Sequence, residues 1–477
     1  MSEHPDSLIY SHNDEPVLET AFNEDFIARL CGIIRNCQPP KGLAVTGYWG
    51  TGKTSTLKQL YYHLTGKLPP GCNKKDAPAG GPRHKDPSLV PVWFEAWRFQ
   101  HEQQPIAALL NEIRVKMSLL NKLTAETKKI SSVALLGSSA IFDEIIKIAS
   151  EAPIKAKTGG IMAIGEKWEK DRYLNKLPSS QLNDLLEEAI DKVLGKRNRK
   201  GRRLIIFIDD LDRCLPTASL RLLEGIRIYL NLSNCILVFG MDHRQLEQSL
   251  LEALPWIDNK NEADRKQASY YANEYLEKIC QDIHQLPLPD LEEKAKYFKR
   301  LLRRLDSKLN SNNATEPLDH AQFLDQILRK FDCLPANPRK IKMLVNRVAL
   351  MLREIPPTEE EDVRVDDSVR QYKLLLITAI ICTFHKRIYE QLMSNPGYIN
   401  EVINYNKADL TMITEDAGQQ SRFAPMTDVL PSQIEGERLP VNPSDSNVFR
   451  LHELLDDLDV ITKDEIEPYL TLRRPVQ

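Results

Sequence analysis

The sequence predicts an α/β fold, a three-layer sandwich around a parallel sheet, on the strength of three stretches. Gly47 to Ser55 fits the pattern G-x-x-x-x-G-K-[ST], which grips phosphates. Leu204 to Ile208 is an unbroken apolar run that ends in Asp209, Asp210 and Asp212, and Cys235 to Phe239 is a second such run, ending in Gly240-Met241-Asp242. Strands buried on both faces read as continuous apolar runs, and the carboxyl ends of such strands are where α/β sheets hold their ligands.

In chain order, residues 1–41 form a helical lead-in, with Phe22, Phe26, Leu30, Ile33 and Ile34 on one face before Pro39-Pro40. Such a segment either lies beside a nucleotide base or completes the core, and the residues leave both readings open. Leu43-Ala44-Val45 is the first strand. In the loop after it, Gly50 and Gly52 let backbone N–H groups curl around phosphates with no Cβ in the way, Lys53 brings a point charge to the β and γ oxygens, and Thr54 offers its hydroxyl to Mg²⁺. Gly47, Trp49, Thr51 and Ser55 complete the loop. Leu57, Leu60, Tyr61 and Leu64 recur at helical spacing, which sets a helix N-terminus under the phosphates. The expected ligand is ATP with Mg²⁺.

Residues 66–88, crowded with Pro, Gly and Lys, read as a surface loop. Val90 to Phe94 is a strand, followed by Glu95-Ala96-Trp97-Arg98-Phe99 and a helical insertion over about 105–195. The apolar runs Ile130–Phe142 and Leu374–Phe384 fall short of the roughly 20 residues a membrane span needs. Both read as buried or interfacial helices, the first leaving peripheral membrane contact open. At the tip of the Leu204–Ile208 strand, Asp209 would hold Mg²⁺, and Asp210 or Asp212 could orient or deprotonate the attacking water. Asp242 is the candidate γ-phosphate sensor at the tip of the next strand, and Ile279 to Leu288 reads as one more strand. These elements make a nucleotide core over 42–289.

A helical lid over 290–355 follows, in which Asn337-Pro338-Arg339-Lys340-Ile341-Lys342 opens a helix with Leu344, Val345, Val348 and Leu352 on one face. Arg339, in its first turn, could swing over the nucleotide or stay a solvated charge. Residues 356–477 read as mostly helical, with an acidic linker at 353–371, helix over 372–402, a loop-rich stretch at 403–448 and a final helix at 449–469.

A formal net charge of −3 argues against a dominant nucleic-acid surface, and the basic run Lys196–Arg203 reads as a solvated turn. Eight cysteines without a C-x-x-C pair give no zinc signature and fit a reducing, cytoplasmic setting; Met1 to Leu8 is polar, unlike a signal peptide. Asn73-Lys74-Lys75-Asp76 and Asn406-Lys407-Ala408-Asp409 fit the guanine-reading pattern [NT]-K-x-D, but their positions argue against GTP.

Five pieces, in order, resemble the KAP P-loop NTPases: Gly47–Ser55, Trp93-Phe94-Glu95-Ala96-Trp97-Arg98, Asp209-Asp210-Leu211-Asp212-Arg213, Gly240-Met241-Asp242 and Asn337–Lys342. The resemblance implies a P-loop NTPase of the additional-strand class, with Asp210, Asp212 and Arg213 beside the Mg²⁺ aspartate. It also implies a link to membranes and signalling, and for bacterial members to exclusion of phage. Two departures stand out. The insertion is not apolar enough for the transmembrane helices many relatives carry, and Phe94-Glu95 stands where relatives usually have Phe-Asn. Together these readings describe an ATP-driven switch that reports its nucleotide state to a protein partner, which could be encoded nearby, with a homo-oligomer compatible. A scaffold that binds ATP but hardly hydrolyses it, and a nucleic-acid motor, are the alternatives.

Overall fold

The computed structural model of the chain describes residues 18, 22–78, 80–128, 146, 186–187, 190–191, 194, 202–230, 232–253, 270, 273–274, 276–309, 320–354, 365–407, 451–458 and 460–470. The run Ile130–Phe142, most of the basic run before Arg202, and Ala408 and Asp409 of the second guanine-type pattern lie outside the described residues. Two compact units make up the chain: Pro16–Pro287, and Met1–Glu15 together with Leu288–Gln477.

The first unit is built on five strands, β1 (Lys41–Thr46), β2 (Leu89–Glu95), β3 (Arg203–Asp209), β4 (Cys235–Met241) and β5 (Asp282–Gln285). They lie in the order β2-β3-β4-β1-β5, and every pairing is parallel. β4 therefore stands between the strand that enters the phosphate loop and the strand that carries Asp209. That is the additional-strand α/β sandwich the sequence predicts. β3 and β4 are buried almost throughout, which is why they read as unbroken apolar runs.

Alternation along the strands sorts the core into two layers. Leu43, Val45, Phe207 and Val238 face α1 (Glu24–Asn36) and α2 (Lys53–Thr65), where they meet Phe26, Leu30, Leu57 and Leu60. Val92, Phe94, Ile206, Ile208 and Leu237 face the opposite way, onto α3 (Pro105–Lys128) and α4 (Pro216–Tyr229). Of the two readings for the lead-in helix, core packing is the one its buried stripe Phe26, Ile27, Leu30, Cys31 and Ile34 fulfils. α3 and α4 approach closely at Gly225, where a Cβ would lie 2.5 Å from that of Ile106.

The loop after α2 is tied down more than its composition suggests. Asp86 accepts from Arg203 at 3.0 Å, and Arg203 also donates to the carbonyl of Cys37 at 3.2 Å, which joins the foot of β3 to two neighbouring loops. Within it, the Asp76 carboxylate accepts from the Asn73 N–H at 2.6 Å and caps a 3₁₀ turn over Lys74–Asp76. Asn73-Lys74-Lys75-Asp76 thus has a local structural use, reciprocal end-capping.

The second unit is helical: α6 (Leu291–Leu309), α7 (His320–Lys330), α8 (Pro338–Glu354), α9 (Val365–Phe384), α10 (Lys386–Ser394), α11 (Tyr398–Lys407), α12 (Leu451–Asp456) and α13 (Lys463–Leu470), following α5 (His243–Ala253) of the first unit. The apolar run of α9 is buried, packed by α7, α8, α10, α12 and α13, which accounts for its hydrophobicity without a bilayer. No helix among the described residues is long and apolar enough to cross a membrane. Two expectations change here. The acidic linker is narrower than 353–371, because α8 runs to Glu354 and α9 begins at Val365; the expected final helix is two short ones, α12 and α13.

Candidate nucleotide site

β1 ends at Thr46 and α2 begins at Lys53, so the six residues between them must reverse the chain above the sheet edge. Gly50 and Gly52 do this at φ 84° and 104°, left-handed angles that a side chain disfavours. Beyond its chain neighbours, no described residue lies within 4 Å of where a Cβ on Gly52 would sit, whereas one on Gly47 would meet Thr51 Oγ1 at 2.8 Å. Thr51 closes the loop on itself, its hydroxyl donating to the Tyr48 carbonyl at 2.7 Å. Lys53 is buried at the start of α2; its Nζ donates to the Gly47 carbonyl at 2.9 Å and lies 3.5 Å from Asp212 Oδ2. Thr54 donates its hydroxyl to the Asp209 carboxylate.

Two aromatic residues of the loop are each covered by a guanidinium from a neighbouring strand tip. Arg244 lies 4.8 Å from the ring centre of Tyr48, and Arg213 lies 6.0 Å from that of Trp49. Cation–π contacts of this kind are worth ~0.5–2 kcal/mol each. Sequence reasoning missed Tyr48 and Arg244; the only signal was an arginine two residues after a strand-tip aspartate.

β3 delivers the acids. Asp209 is the last residue of the strand, buried beside α2, and its Oδ1 has no hydrogen-bond partner among the described residues. A Cβ on Gly240 would come 2.9 Å from that oxygen, so the glycine at the tip of β4 makes room for the carboxylate. Burial, reinforced by the charge of Asp210, holds the Asp209 carboxyl above the usual carboxylate range. Asp210 then turns the chain at φ 58°, a left-handed angle uncommon outside glycine, and pairs with Arg213 Nε at 3.0 Å. Burial raises its carboxyl as well, opposed first by Arg213, with Asp212 and Glu95 adding to the rise. Asp212 is buried in the 3₁₀ turn Leu211–Arg213, and its Oδ1 is also without a hydrogen-bond partner among the described residues.

At the tip of β4, the carboxylate of Asp242 accepts from the N–H groups of Arg244 and Gln245 and caps α5. Burial raises its carboxyl, and the charge of Lys53 opposes the rise. The residue singled out as a phosphate sensor is thus also a helix cap within electrostatic reach of Lys53. Arg339 belongs to the helical unit. It sits in the first turn of α8, where its N–H donates to Asn337 Oδ1 at 3.1 Å.

The donor set suits a nucleoside triphosphate with a divalent cation. A positive-φ glycine cradle lies over a helix N-terminus, a buried lysine stands at its first turn, and a buried carboxylate with an orphaned oxygen accepts from the Thr54 hydroxyl. Thr54 and Asp209 would hold the cation, and Gly50 to Ser55 the phosphates. Cation binding would offset the burial that now disfavours the ionised form of Asp209.

Fold and site together define a nucleotide-binding α/β protein of the phosphate-loop type. The profile of the KAP family P-loop domain matches residues 23–355, and the chain belongs to that family. Among solved structures, an ORC1 protein of Aeropyrum pernix, in complex with DNA, is 13% identical over 91% of this chain and 84% of that one, with a TM-score of 0.29. No curated protein matches the chain.

Proposed function

We propose that the chain binds and hydrolyses Mg-ATP and works as a switch whose nucleotide state is read by a protein partner. The observation that supports this most is the convergence of Lys53, Thr54, Asp209 and Asp212, contributed by two separate stretches of sequence, at the carboxyl end of one sheet. In this reading Lys53 and the N–H groups of Gly50 to Ser55 hold the triphosphate, and Thr54 and Asp209 the metal. A magnesium ion there supplies neutralising charge to the phosphate oxygens. Asp210, Asp212 and Arg213 serve the attacking water and the charge that develops on the phosphoryl group, with Asp242 as sensor. Arg339 is the lid cation that tells ATP from ADP; the family match runs through α8, consistent with its belonging to the same machine. The eight cysteines are all free, which suits the cytoplasm, and the role in phage exclusion implied by the resemblance belongs to the same proposal.

The test is thermal melting with and without Mg-ATP, alongside release of phosphate. Wild type should be stabilised by about 2.7 kcal/mol at an ATP concentration near 100 Kd. Lys53→Ala should lose that shift, and Arg339→Ala should weaken ATP binding while sparing ADP. An unchanged shift in Lys53→Ala would remove the loop as the site. The ion pair between Asp210 and Arg213 favours one second reading, a scaffold that binds ATP but turns over little. Saturating Mg-ATP with no phosphate released would select it.

A further inference from the structure

β2 ends in a carboxylate that the readings above leave without a task. Register puts Glu95 directly opposite Asp209, as Trp93 is opposite Phe207 two residues earlier. Residues opposite one another on parallel strands share a face, and the Trp93 and Phe207 rings do stack, 6.0 Å apart at 24°, on the α2 side. Glu95 therefore stands on the same face as Asp209, one strand further from β1 and one layer above that stack. Its backbone is held on both sides: Ala96 is buried, and Phe94 stacks on Phe99 at 4.9 Å across the following turn. Its carboxylate accepts from the Trp93 indole N–H at 3.3 Å and pairs with Arg98, whose side chain is 62% exposed.

The other described acids at this end of the sheet each have a neighbour that fixes them, Asp242 as the cap of α5. Asp209 is bonded by Thr54 and suits a metal, Asp212 lies against Lys53, and Asp210 is turned by its left-handed backbone onto Arg213. Glu95 has one methylene more than an aspartate, a partly open position and an ion pair to a surface arginine that can move with it. The arginine end of the pair is the solvent-exposed one, and ion pairs held from an exposed end are weak.

We infer that Glu95 is the carboxylate that takes the proton from the water attacking ATP, with Asp210 and Asp212 left to orient that water. This rests on the hydrolysis proposed above. In the step, the water oxygen forms a bond to the γ-phosphorus, the bond from that phosphorus to the β–γ bridging oxygen breaks, and ADP leaves with the electron pair. The water proton goes to the Glu95 carboxylate and from there to solvent, leaving inorganic phosphate. A glutamate suits this place because its longer arm carries the proton-accepting oxygen past the strand tip.

Glu95→Gln keeps the size and an acceptor for the Trp93 indole, so it tests the charge alone; Glu95→Asp keeps the charge on a shorter arm. ATP affinity from a fluorescent analogue and single-turnover hydrolysis should be measured separately. Expected are an affinity within threefold of wild type for both, at least a ~100-fold slower hydrolysis in Glu95→Gln, and a smaller loss in Glu95→Asp. Asp210→Asn should slow hydrolysis less than Glu95→Gln. A loss below 100-fold in Glu95→Gln, while wild type turns over, overturns the assignment and leaves the hydrolysis reading intact. So does a loss of ATP binding in both Glu95 variants. Wild type that binds ATP and releases no phosphate overturns both.

Discussion

A single methyl group at the tip of β4 tests whether Asp209 is held where a metal ligand must be. Gly240 has no unusual backbone angle, so Gly240→Ala perturbs space and nothing else. The added Cβ would lie 2.9 Å from Asp209 Oδ1 and 2.9 Å from Leu57 Cδ2, against the ~3.5–4.0 Å at which carbon contacts become favourable. Leu57 is fully buried against β1 and β4, so it can yield little, and the carboxylate must rotate away. Overpacking by one methyl costs ~1–3 kcal/mol, which at ~2–4 °C per kcal/mol lowers the melting midpoint by about 2–12 °C. Displacement of Asp209 should also shift the Mg²⁺ concentration that half-saturates ATP stabilisation upward, while ATP binding without Mg²⁺ changes little. Melting curves over a Mg²⁺ titration read both. Gly32→Ala is the control: it sits in α1 with no described residue outside its own helix turn within 4 Å of the new Cβ, and should gain up to ~1 kcal/mol from helix propensity. If Gly240→Ala melts within about 1 °C of wild type and keeps its Mg²⁺ midpoint, Asp209 is not wedged against β4 and the metal assignment fails.

Two further outcomes follow from other parts of the chain. His385, between α9 and α10, is held neutral by burial and by the charge of Lys340, its pKa lowered from 6.5 to about 4. A depressed histidine lets the unfolded chain take a proton the folded one refuses, so its contribution is intact above pH 6.5 and falls by up to about 3 kcal/mol on the way to pH 4. Denaturant melts of His385→Gln at pH 7, 5.5 and 4.5 should show a smaller loss than wild type; parallel losses would refute the burial argument. Asp76→Ala should fray the turn over Lys74–Asp76 at a cost of ~0.5–2 kcal/mol and leave the ratio of ATP to GTP affinity unchanged. A changed ratio would make Asn73-Lys74-Lys75-Asp76 a base reader after all.

What the sequence made legible is what is decided locally. The phosphate loop is one, because its φ angles require glycine at 50 and 52 and its helix follows at once. The runs of β3 and β4 are another, because burial on both faces leaves no room for polar residues. The Arg244 contact to Tyr48 was not legible, since it joins segments far apart in the chain, whereas the cap on Asp242 is local, the aspartate standing three residues before Gln245 at the start of α5. β5 was readable only as part of a longer run: Ile279 lies outside it, and Gly42 faces the Ile279 carbonyl at 1.9 Å from a would-be Cβ, a constraint visible only once β1 and the approach to β5 are paired. Glu95 shows the same limit most sharply. Its identity was plain as a departure from Phe-Asn, yet its meaning depends on register. Were β2 shifted by one residue against β3, side-chain alternation would carry Glu95 to the face of Phe94 and α3, away from Asp209. Trp93 guards against that slip, because only the observed register stacks it on Phe207 with Tyr61 at its edge and Lys58 over its ring. The aromatic pair below thus determines which carboxylates meet above, and the chemistry at the tip of β2 is set two residues before it.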